Sequence, residues 1–110
     1  MLFRSKVNIM TKLELNDKLA ELYNIDNCTY MGDIINTYLI DDWSRLMDLA
    51  VDNGINYVCY KHYGYCKAWI GLREEDTSFA FAENLKDHES PRAATRFAIA
   101  MALVKLKEDK

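Results

Sequence analysis

The chain is poor in the residues that break structure. Its 110 residues include one proline and four glycines. So few breakers leave no candidate linker, and the expectation is one domain over residues 11–110, preceded by a tail at 1–10. Met1 and Met10 both stand as candidate starts. Residues 1–10 carry Arg4 and Lys6 but no apolar stretch of the kind a secretory leader needs. No apolar run approaches the roughly 20 residues that span a bilayer, so no membrane partner is expected. The net charge of −3 offers no footprint for duplex nucleic acid. There is no Cys-x-x-Cys pair, no glycine-rich phosphate loop and no paired-histidine motif, and with them go the most recognisable metal and nucleotide signatures. Three cysteines, an odd number, read as free thiols in a reducing cytoplasm.

The C-terminal stretch organises what is present. Ser90 suits an N-cap and Pro91 a first helical position. From Phe97 to Val104 every residue is apolar and the alanines favour helix. A helix apolar all round must be covered on most sides, so this segment is expected to be the central packing helix.

Upstream, Thr11 and Glu14 form a capping box, and Leu15, Leu19 and Leu22 follow at helical spacing. A helix is expected over residues 12–23, closed by Asn24. Residues 25–40 are too apolar for a solvated loop and read as a packed irregular segment. Asp42 opens a second helix over residues 42–53, with Trp43, Leu46, Met47 and Ala50 on one face and Gly54 as terminator.

Residues 55–82 change period and read as three antiparallel strands in a meander. With a two-residue first turn at Tyr63-Gly64, one face carries Tyr57, Cys59, Cys66, Ala68, Ile70 and Leu72. The other carries Val58, Tyr60, His62, Tyr65, Lys67 and Trp69. A four-residue second turn adds Phe79 and Phe81 to the first face, and Ala80 and Ala82 to the second. Residues 83–89 read as a polar loop. The fold class is therefore α+β, in the order α-α-β-β-β-α.

Asp42-Trp43 opening a helix that ends in Asn53-Gly54-Ile55, the strand Ala68-Trp69-Ile70, then Ser78-Phe79-Ala80-Phe81, and Ser90-Pro91-Arg92-Ala93-Ala94 before Ile99-Ala100-Met101-Ala102-Leu103 together resemble the phage ABA sandwich domain proteins, among them the NinX-like small phage proteins. The resemblance spans residues 11–106 and rests on packing motifs. It implies an alpha-beta-alpha layered sandwich with helices on both sheet faces, and a phage origin. It supplies no activity and no site residues.

Candidate chemistry is sparse. Cys28, Cys59, His62 and Cys66 could in principle ligate zinc, but on a strand Cys59 and His62 point to opposite faces, and buried thiols explain Cys59 and Cys66 equally well. Cys59 or Cys66 with His62 is the one nucleophile–base pair near in sequence, while His88 reads as solvated. No catalytic residue, metal or cofactor is assigned. Residues 57–73 contain no acid and interleave Tyr60, His62, Tyr63, Tyr65, Lys67, Trp69 and Arg73. Such a surface can stack bases along a phosphate backbone or serve as a protein hot spot; equally, a helix could cover it. Asp17, Glu21, Asp41, Asp48 and Asp52 form a candidate acidic docking face whose bland reading is a solvated helix surface. Arg92 and Arg96 could hold an anion at the last helix's start. The expected function is that of a non-enzymatic phage accessory protein in the infected cell's cytoplasm, binding a host or phage protein and inhibiting a host defence or replication process. The alternative is a single-stranded nucleic-acid or nucleotide binder. An uncovered apolar face would also call for a second copy of the chain.

Overall fold

Pro91–Glu108 form the longest helix, α3, with Pro91 at its first position and the Ala93 N–H donating to Ser90 Oγ at 3.1 Å. Nine of its residues are buried, from Ala94 to Val104, and Ala98, Ile99, Ala100, Ala102 and Leu103 are fully so. Its alanines let the sheet approach closely, and the fully buried Cys66 and Ala68 lie in the same core. The computed structural model describes residues 11–71 and 80–108.

Helix α1 (Lys12–Tyr23) has the expected capping box: the Glu14 N–H donates to Thr11 Oγ1, and the Thr11 N–H to Glu14 Oε1. Asn24 ends it in the left-handed region at φ 55°. It docks on α3 through Leu15 and Leu19, and the Tyr23 hydroxyl donates to the Leu103 carbonyl at 2.7 Å. Lys18 pairs with Glu108 at 2.7 Å, and that hydrogen bond raises the lysine's pKa.

The segment after α1 departs from expectation. It is a two-stranded antiparallel ribbon of β1 (Cys28–Met31) and β2 (Ile34–Tyr38), not a packed irregular segment. Among the described residues the element order is therefore α-β-β-α-β-β-β-α. Gly32 takes φ 68° at the first central position of the two-residue turn, a conformation glycine reaches without strain. A bulge between Thr29 and Tyr30 shifts the register, so the same ribbon pairs Cys28 with Tyr38 but Tyr30 with Ile35. A short 3₁₀ turn, Leu39–Asp41, leads to α2 (Trp43–Asp52), capped by Asp42, whose carboxylate accepts from the Arg45 N–H.

The meander follows as β3 (Ile55–Tyr60), β4 (Tyr65–Ile70) and β5 (Ala80–Asn84). The first connection spans four residues rather than two, because Lys61–Tyr63 coil into a 3₁₀ turn closed by Gly64 at φ 79°. The shift is even, so the faces keep their composition: Tyr57 opposes Ala68, Tyr60 opposes Tyr65, and Ala68 opposes Phe81. Cys59 and Cys66 are direct cross-strand partners, and His62 leaves the strand face for the turn. Leu72, Phe79 and Arg73 lie outside the described residues. Strand β5 runs into the expected loop and takes in Glu83 and Asn84. The result is a compact α+β fold with three helices and two antiparallel sheets among the described residues. No described helix is long and apolar enough to cross a membrane.

Candidate functional site

Apolar side chains are exposed chiefly at the ribbon. Tyr30, Met31, Ile34 and Ile35 are 59%, 69%, 74% and 44% exposed. Met31 opposes Ile34 across the turn and Tyr30 opposes Ile35, so both faces of the tip carry large apolar groups. The two strands pack mainly on each other, and neither outer edge pairs with another described strand.

The ribbon's feet are clamped. Asn16, fully buried on α1, donates from Nδ2 to the Asn27 carbonyl at 2.9 Å and accepts from the Ile40 N–H at 2.8 Å. One side chain thus holds the chain entering and the chain leaving. The Leu39 N–H donates to the Asn27 carbonyl at 2.9 Å. Arg45 reaches Thr29 Oγ1 at 3.1 Å and the Asp26 carbonyl at 2.7 Å. Asp17 accepts from Asn27 Nδ2 at 3.1 Å. The neighbouring Cys28 side chain is the main cause of Tyr30's raised pKa.

The expected aromatic–basic hairpin is divided by the fold. Tyr60 and Tyr65 oppose each other with ring centroids 5.2 Å apart, and Tyr63 meets Tyr60 edge-on at 6.3 Å. Tyr63 is 79% exposed, and Lys61 and His62 are exposed beside it. Lys67 and Trp69 share the strand face with Tyr65 and are half-buried; Trp69 Nε1 is buried without a hydrogen-bond partner. The most exposed part is therefore the turn. A depression of about 620 Å³ adjoins it, lined by Lys61, Tyr63, Leu85, Lys86 and Pro91 among others.

The other candidates disperse. Glu21 on α1 and Asp48 and Asp52 on α2 are exposed, whereas Asp41 pairs with Lys12 at 2.8 Å. Arg92 lies 5.5 Å over the Trp43 ring, which meets Tyr57 edge-on at 6.0 Å. That stack sets Arg92 beside α2, and the Ser90 hydroxyl takes the Ala93 amide. Arg96 is half-buried with Nε unpartnered.

His88 is not solvated as expected. Its side chain is 15% exposed, with Nε2 2.9 Å from Glu83 Oε1. Phe97 lies 5.1 Å away, ring to ring. The sequence signal was the five-residue separation of an acid and a histidine before a capped helix, too common to single out. This pair borders an open cleft of about 720 Å³ whose wall includes Lys12, Ile40, Asp41 and Phe97. A carboxylate-held imidazole has the geometry of an oriented base. The thiol facing Glu83 across the strands, Cys66, is fully buried, and burial pushes its pKa to about 11. At neutral pH it is a packed thiol, not a nucleophile. Among the described residues no group of three His, Cys, Asp or Glu side chains converges as metal ligands.

No protein-family model, curated protein or solved structure matches this chain.

Proposed function

We propose that the chain is a small non-enzymatic phage accessory protein that binds a host or phage protein in the infected bacterial cytoplasm, and so inhibits a host defence or replication process. The observation that carries the binding reading is the ribbon. Four large apolar side chains stand on a clamped two-stranded arm, an arrangement that costs solubility unless a partner covers it. Tyrosine and methionine are enriched at protein interfaces. The buried, protonated Cys66 supports the non-enzymatic part. The phage part rests on the sequence resemblance, and in that reading the helices and meander are a variant of the alpha-beta-alpha sandwich. The test is affinity purification of the full chain from host cells, beside the double variant Met31→Ser/Ile34→Ser. A stoichiometric protein held by the parent and lost from the folded variant is the expected result. Equal recovery by both removes the ribbon from the function.

A second reading is favoured by the turn depression, where two lysines and an exposed tyrosine could hold a nucleotide or single-stranded nucleic acid. It requires salt-sensitive oligonucleotide binding that Tyr63→Ala weakens.

A further inference from the structure

We infer that the ribbon's partner is an extended, basic and apolar protein segment that adds to the ribbon as a third strand. This rests on the binding reading above and specifies the chemistry of the partner. The first ground is backbone hydrogen bonding. A two-stranded ribbon leaves unpaired N–H and C=O groups along its outer edges, and isolated hairpins are marginal in water. Here the clamps at Asn16 and Arg45 keep the feet in place and leave the tip to be completed from outside. An incoming strand gains main-chain hydrogen bonds and presents alternate side chains to Tyr30 and Ile35 on one face or Met31 and Ile34 on the other.

The second ground is charge. Residues 24–44 contain Asp26, Asp33, Asp41 and Asp42 and no lysine, arginine or histidine. Asp33 sits in the exposed turn, directly beside Ile34. Asp41 is paired with Lys12 and Asp42 caps α2, while the Arg45 cation stays at the ribbon's foot against Thr29 and the Asp26 carbonyl, so the charge at the tip is that of Asp33. Two copies joined by their ribbons would bring like charges together around an apolar centre, which opposes pairing. A segment bearing lysines or arginines among apolar residues meets the same surface with complementary charge. Nucleic acid fits poorly, because its phosphates would face the aspartates.

The experiment pans a library of random twelve-residue peptides against the immobilised full chain at low salt. The enriched peptides are expected to be net positive with alternating apolar residues. Their affinity should fall at least about tenfold in Met31→Ser/Ile34→Ser, as for loss of a hot spot. It should fall a few-fold in Asp33→Asn, an exposed change that leaves the apolar groups in place, and that loss should shrink as salt screens the charge. Circular dichroism confirms that each variant is folded. Neutral or acidic peptides that still depend on Met31 and Ile34 would overturn the basic chemistry and leave the docking reading standing. Enriched peptides indifferent to both variants, or no enrichment at all, would overturn both. A dimer in sedimentation equilibrium that Met31→Ser/Ile34→Ser dissolves would make a second copy the occupant and overturn the inference.

Discussion

The helix α3 and the β1–β2 ribbon are both rich in apolar residues, yet the molecule treats them oppositely. Ile99 and Leu103 are fully buried, while Met31 and Ile34 are 69% and 74% exposed. On α3 the apolar residues surround the helix, so the sheet, α1 and α2 can all pack against it. On the ribbon they project from a thin arm that no large described element covers. The comparison teaches that apolar content marks a surface to be covered, not which covering it receives. One region finds its cover within the chain; the other stays exposed among the described residues.

The sharpest way to break that comparison is to truncate one residue in each region. Ile99→Ala should cost about 2–5 kcal/mol in chemical denaturation, because a fully buried side chain leaves a cavity. A loss under about 1 kcal/mol would mean that α3 is loosely packed. Next in size is Asn16→Ala, at the joint between the two regions. It strips a buried partner from the Ile40 N–H and should cost about 1–3 kcal/mol. Amide exchange should then quicken across the ribbon more than in α3; uniform quickening would show that the two regions unfold as one unit.

Alkaline pH probes the buried side of the comparison through Cys66 and Tyr23. Burial raises Cys66 to about 11 from 9.0 and Tyr23 to about 12 from 10.0. Both groups hold their protons longer folded than unfolded. Stability is thus fully present below pH 9 and falls as pH rises through 9 to 12, Cys66 alone contributing on the order of 1–2 kcal/mol. Thermal melts across that window check it, and Cys66→Ala should flatten the lower part of the fall. Smallest is Ile34→Ser, expected to shift stability by no more than about 0.5 kcal/mol, since the side chain is already in water. A loss comparable to Ile99→Ala would mean that the ribbon is part of the core.

The helices were legible because their signals are local. Thr11 and Glu14, Asp42, and Ser90 with Pro91 each satisfy or remove amide groups within one turn, and all three helices start beside them. The strand faces were legible because the side-chain period survives an even change in turn length. The ribbon was missed although Gly32-Asp33 is a recognised two-residue hairpin signal. Its apolar residues suggested burial, and burial suggested packing. The Glu83–His88 pair depends on β5 extending past the expected strand end, which short-range pattern does not report.

By itself the sequence determined where the helices begin, which side chains share each face of the meander, and that one C-terminal helix would be buried. Those properties follow from backbone hydrogen bonding and side-chain period, which act over a few residues. Only the tertiary structure decided which apolar residues stay in water, that Asn16 clamps the ribbon, and that Arg92 turns onto Trp43. These depend on what lies across the fold, and a side chain's neighbours in space are set by how the elements pack.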